Sequence, residues 1–266
     1  MELRQRALDC LAIQSPAEKV QAVSALQEQY GNQKVLLSRD SKIPLNQPIP
    51  GLPNKPELVS PREVKHRAMN TDEGRAAMIH ALAHIEFNAI NLGLDAIWRF
   101  ADMPEEYYGD WLKVAAEEAY HFSLLDAHLN NMGYQYGDFN AHASLWEMAE
   151  KTKDDVLARM ALVPRTMEAR GLDASPALRN KLAQIGDEEA AAILDIILRD
   201  EIGHVAIGNH WFNYLCAQRQ LEPISTYANL AKQYQAPTPR KPFNHSARLA
   251  AGFTEAELDW LENPFG

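Results

Sequence analysis

Asp200-Glu201-Ile202-Gly203-His204 is the stretch on which the reading of this chain turns. Glu201 and His204 stand three residues apart, so on a helix they share a face. The same arrangement occurs earlier, in Glu117-Glu118-Ala119-Tyr120-His121. Each Glu-x-x-His pair is embedded in a long segment with helical apolar periodicity. Two carboxylate–imidazole pairs on apolar faces point to a metal site inside a helical bundle.

The neighbouring segments supply further carboxylates of the same kind. With about 100° per residue, Glu86 shares its meridian with Ile79, Leu82, Ile90, Gly93, Ile97 and Phe100. A lone carboxylate there is costly. The segment opens at Thr71, a capping residue followed by the acidic first turn Asp72-Glu73. After Pro104 a second helix is expected over 105–130, with Glu118 among Trp111, Val114, Ala115, Phe122, Leu125 and Leu129. A third, over 144–170, lines Glu168 up with Leu157 and Ala161. Pro164 should kink it, Gly171 should end it and Ser175-Pro176 should begin another. A fourth runs from about Gly186-Asp187 to Gln218, its Glu201 face carrying Ala190, Leu194, Ile197, Val205, Gly208, Phe212 and Leu215. His80 and His84 lie off the Glu86 meridian and read as surface or second-layer residues, and His128 as a hydrogen-bonding residue near the bundle end.

Both ends decorate this core. Leu3, Ala7, Leu8 and Leu11 form one stripe, and Ser15-Pro16 starts a second short helix that stops near Tyr30-Gly31. Prolines 44, 48, 50, 53, 56 and 61 exclude a helix over 40–61. Leu45, Ile49, Leu52, Leu58 and Val59 favour an ordered arm over a free linker, because apolar side chains seek cover. Beyond 218 a helix is expected over 222–234 and a proline-rich stretch over 236–243. Thr254-Glu255-Ala256-Glu257 reads as a capping box opening a last helix. No useful strand-period alternation occurs, so the expected fold is all-α. The chain thus divides into three regions: 1–70 with short helices and arm, 71–218 with the bundle, and 219–266 as a helical extension.

A chain of 266 residues with 46% hydrophobic and 23% charged residues can bury a full core. The formal net charge of -10 argues against a general phosphate-binding surface. Cys10 and Cys216 form no spacing motif, which fits a reducing compartment. No signal-peptide run or membrane-length apolar stretch is evident, so the expected location is the cytoplasm, with no membrane and no nucleic-acid partner.

Collected together, the buried-face donors are Glu86, Glu118, His121, Glu168, Glu201 and His204. The order Glu, Glu-x-x-His, Glu, Glu-x-x-His, at nearly equal intervals, implies two similar helix hairpins related by approximate two-fold symmetry. Two divalent ions would balance four carboxylates that otherwise repel one another. Oxygen and imidazole donors suit iron or manganese. This is the donor set of di-iron and di-manganese carboxylate bundles.

At these residues the chain resembles the ferritin-like superfamily, and within it a bacterial ferritin-like family of unknown function. Pro53-Asn54-Lys55-Pro56-Glu57-Leu58-Val59, His84-Ile85-Glu86, Glu168-Ala169-Arg170-Gly171-Leu172-Asp173 and Lys241-Pro242-Phe243-Asn244 carry that likeness. It implies an antiparallel four-helix bundle holding two iron ions, with manganese or a mixed pair as the alternative. Glu118 and Glu201 would bridge the ions, Glu86 and His121 would complete one, and Glu168 and His204 the other. Asp200 fits the place where oxygen-activating members carry an acidic residue that holds a ligand histidine; Glu117 is one methylene longer.

The leading functional expectation is an oxygen-activating oxidase or oxygenase using Glu118, Glu201 and Asp200, with dioxygen and a small-molecule substrate or reductant. Ferroxidase or iron-handling activity, a manganese catalase-like activity and a non-catalytic metal-stabilised bundle stand as alternatives, and homo-oligomerisation is left open. Gly93 and Gly208, each seven residues beyond a ligand, serve either close helix packing or a cavity beside the metals. Arg240, Lys241, His245 and Arg248 form a basic tail read as a solvated surface or a receiver of anions.

Overall fold

Long apolar faces closed by capping residues yield a chain of helices. The computed structural model describes residues 2–263, which are all-α, with no strand and only two isolated bridges, Glu2 to Leu36 and Leu58 to Ala141. The chain divides into two compact units, Met1–Trp146 and Glu147–Gly266.

The first unit contains α1 (Leu3–Leu11), α2 (Pro16–Gly31), α3 (Asp72–Arg99) and α4 (Glu105–Asn131). Ser15 caps α2 with Pro16 at its first position, and the Thr71 side chain accepts from the Gly74 amide to start α3. α3 and α4 pack along their length, α1 lies on α3 and α2 on α4. The expected stripe of α1 is fully enclosed, with Leu3, Ala7 and Leu11 at 0% exposure. From Glu86 to Trp98 every residue of α3 is buried, not only one meridian.

The arm over 40–61 lies close against the first helices, for a reason other than apolar burial. Leu45 and Leu58 remain exposed. Buried donors capture its carbonyls instead: Arg4 reaches Ser41 O at 2.7 Å and Trp98 Nε1 reaches Ile43 O at 3.3 Å. Lys19, completely buried, donates from Nζ to Leu11 O at 3.0 Å, Gly51 O at 3.1 Å and the Asn91 side-chain oxygen. A side chain at Gly51 is excluded, since its Cβ would lie 2.2 Å from Ala12 O.

In the second unit α6 (Val156–Leu162), a π-helix (Val163–Glu168) and α7 (Ala169–Gln184) pack on α8 (Glu188–Gln218); α5 (Ser144–Lys151) spans the division between the units. The third helix is therefore broken, first after Lys151 and then by the π turn at Pro164. Neither Gly171 nor Ser175-Pro176 bounds a helix, contrary to expectation: both lie inside α7. Pro176 removes the amide that would bond to Leu172 O, and Asn244 Nδ2 supplies that carbonyl with a donor at 3.1 Å. α9 (Pro223–Gln233), α10 (His245–Ala250) and α11 (Glu255–Glu262) complete the unit, α11 with the expected capping box. Val205, Ala169, Leu172, Ala247, Ala251, Phe253 and Leu258 form one apolar cluster here.

Of the basic tail, Arg240, Lys241 and His245 are exposed, as a solvated surface requires, and Arg248 alone departs from it. Arg248 is 2% exposed, paired with Asp173 at 2.7 Å and flanked by the Phe243 and Phe253 rings. Lys241 and His245 both pair with Glu262. Short-range charge in the sequence hid partners that only folding brings near. Among the described residues no helix is long and apolar enough to cross a membrane.

Candidate metal centre

α3 and α4 each bring a glutamate to their shared interface, because each glutamate sits on its helix's apolar stripe. Glu86 is 3% exposed, and Glu118 and His121 are 0% exposed. His121 Nδ1 lies 3.2 Å from Glu86 Oε2 and 3.5 Å from Glu118 Oε2. One donor atom from each of these three side chains falls within 4.8 Å of the others. Burial alone would discharge the imidazole, but the Glu118 and Glu86 carboxylates overcome it and push His121 up to about 11. The site therefore favours a positive charge strongly enough to hold a proton there, and a divalent cation offers more charge to the same donors. Oxygen and nitrogen donors in a buried cluster without thiolates fit a divalent cation.

The second unit carries the matching residues. Glu201 is 9% and His204 0% exposed on α8, with His204 Nδ1 3.8 Å from Glu201 Oε1. Glu168 is half-buried and is the last residue of the π-helix. Asp200 accepts two bonds from Arg199, at 2.8 and 3.1 Å, and Glu117 pairs with Lys113 one turn away at 2.7 Å.

The glycines expected beside the candidate ligands are spent on packing. A Cβ on Gly93 would meet Ala115 Cβ at 3.1 Å and Trp111 O at 3.2 Å, and one on Gly208 would meet Pro164 Cβ at 2.4 Å. They close the helices together, so the cavity reading gives way to the packing reading.

His80 and His84 are buried, not surface residues, and belong to a second layer behind α3. His84 Nδ1 is 2.8 Å from the Tyr136 hydroxyl and Nε2 is 3.1 Å from His142 O. His80 Nε2 accepts from the Gly137 amide at 2.9 Å and its ring stacks on Tyr136. Burial pushes both imidazoles down to about 4. Tyr136 also contacts Phe87 and Phe122, the residues next after Glu86 and His121 in sequence. No helical period predicted this layer, because Tyr136 and His142 come from the loop after α4.

Fold and site together define an all-α protein with a buried carboxylate–histidine cluster able to hold a metal ion. The chain belongs to the family described as Protein of unknown function (DUF455), whose model matches residues 12–259. An uncharacterized protein of Haemophilus influenzae (strain ATCC 51907 / DSM 11121 / KW20 / Rd) is 50% identical over 256 residues, covering 93% of this chain and 89% of that protein. No solved structure matches the chain.

Proposed function

We propose that this chain is a ferritin-like di-metal carboxylate protein, a non-haem di-iron oxidase or oxygenase acting with dioxygen and a small organic substrate or reductant. The observation that carries the reading is the buried Glu86–Glu118–His121 triad, which concentrates two carboxylates and an imidazole in a place where charge is costly without a cation. Glu168, Glu201 and His204 supply the second half of the proposed set, by the repeated order and spacing of the sequence. Glu118 and Glu201 would each touch both ions, Glu86 and His121 would hold one, and Glu168 and His204 the other.

Two iron ions, when bound, supply the electrons for reducing dioxygen. The chain's own residues exclude water, fix the donor atoms on rigid helices and hold the imidazole nitrogens in place. Asp200 is proposed to orient a ligand histidine from beside Glu201. The fully buried Glu118, His121 and His204 keep bulk solvent from the donors.

The closed packing at Gly93 and Gly208 favours a second reading, iron handling or a structural metal, since neither needs an organic pocket. Loading with ferrous iron under oxygen separates the two. About two irons per chain with oxygen consumption and turnover of a supplied reductant support the enzyme. Hundreds of irons per assembly would establish storage, and two irons with no oxygen consumption would establish the structural role. Manganese bound in the protein as isolated, with peroxide breakdown, would replace the iron reading by the catalase-like one.

A further inference from the structure

The half-buried Glu168 ends a π-helix, and that turn determines where its carboxylate points. A π turn accommodates one residue more than an α turn, which rotates the succeeding residues by about 100° relative to a continuous helix. Such turns are uncommon and frequently stand at functional sites. Here Pro164 sits against Gly208, and the Thr166 hydroxyl bonds to Ala161 O at 2.8 Å and to the Tyr227 hydroxyl at 3.1 Å. Arg165 is tied most firmly. Its Nη1 donates to Asn209 Oδ1 at 2.7 Å, its Nη2 pairs with Glu257, and its guanidinium stacks 4.8 Å from the Phe212 ring and 4.7 Å from the Phe253 ring. Both partners are enclosed, with side-chain exposures of 3% and 7%. Glu257 is itself fixed by the capping box, accepting from Thr254 N at 2.8 Å and Thr254 Oγ1 at 3.0 Å.

We propose that Arg165 and Glu257 are positioning residues for Glu168: the ion pair holds the π turn, and the turn presents the Glu168 carboxylate to the metal. The inference rests on the di-metal reading above. It gives α11, distant in sequence from every ligand, a role in metal binding. An α-helical relaxation of residues 163–168 would turn Glu168 away and leave His204 without its carboxylate partner on the ion.

The test uses the full chain, stripped with a chelator and titrated anaerobically with Co(II), with calorimetry and the absorption of the bound ion as readouts. The parent should take up two ions. Glu257→Gln retains the volume and an oxygen for the Thr254 amide but loses the charge, and should weaken one ion about tenfold while leaving the other unchanged. Arg165→Lys, which keeps the charge and loses the planar fork, should do the same, and serves if Glu257→Gln does not fold. The effect must vanish in a Glu168→Gln background, a coupling that a merely stabilising ion pair would not show. Asp173→Asn, which breaks the Arg248 pair of the same extension, should lower the melting temperature and spare Co(II) affinity. Two ions bound equally well by the parent and by the folded variants would overturn this inference alone. No Co(II) uptake by the parent would overturn the di-metal reading, and this inference with it.

Discussion

Gly208 permits Pro164 to lie directly against α8: a methyl group on Gly208 would stand 2.4 Å from Pro164 Cβ and 2.6 Å from its Cγ. The ring is rigid and the π turn around it is anchored, so neither side can yield cheaply. Gly208→Ala should therefore cost about 1–3 kcal/mol, read as a lower midpoint in urea at unchanged slope. Gly93→Ala, with its nearest neighbour at 3.1 Å, should cost less. Equal, negligible losses at both positions would show that the π segment moves freely.

Removing ligands should remove metal in a pattern. His121→Ala and His204→Ala should each lower bound metal, measured by elemental analysis of the purified chain. Glu118→Ala and Glu201→Ala, at the proposed bridging positions, should disturb both ions. Full metal content in both histidine variants would exclude them as ligands.

On the proposed di-metal reading, chelation should also lower the melting temperature, because a metal that binds only the folded state stabilises it and its loss removes that contribution. At free metal about a thousandfold above the dissociation constant, the stabilisation is about 4 kcal/mol. Identical melting of loaded and stripped protein would instead point to a polar core that needs no metal.

Acid should unfold the protein through its second-layer histidines. His80 and His84 lie at about 4 in the folded state against an ordinary 6.5, so the unfolded chain binds more protons between those values. Their contribution is full above pH 6.5 and is lost as pH falls towards 4. His80→Gln, which retains an acceptor for the Gly137 amide, should flatten the dependence of melting temperature on pH across that interval. An unchanged slope would place the acid sensitivity elsewhere.

Asn244 and Pro176 should be energetically coupled. Asn244→Ala strips Leu172 O of its donor at 3.1 Å and costs about 1–3 kcal/mol. In a Pro176→Ala background the backbone amide returns, and the penalty should shrink. A double-mutant cycle in urea measures the coupling; strict additivity would mean that the side-chain bond contributes nothing.

Much was legible in the sequence because helices encode their faces locally. The apolar periods around Glu86, Glu118 and Glu201, the caps Ser15, Thr71 and Thr254, and the ends of α4 and α8 all depend on neighbours within a turn or two. The Glu86–Glu118–His121 cluster arises where two such faces meet. Where the reading failed, the deciding partner lay far along the chain. Gly171 and Pro176 both lie inside α7, where Asn244 from far along the chain serves the carbonyl that Pro176 leaves. Arg248 is buried because Asp173 neutralises it, and the arm is held by Arg4 and Lys19 rather than by its own leucines. His80 and His84 joined a buried layer only when the loop carrying Tyr136 folded back over them. Helical periodicity is a property of successive residues and can be read from them. The pairing of a buried charge or an orphaned carbonyl is a property of the folded chain, since only tertiary structure sets which distant group replaces the water that burial removes.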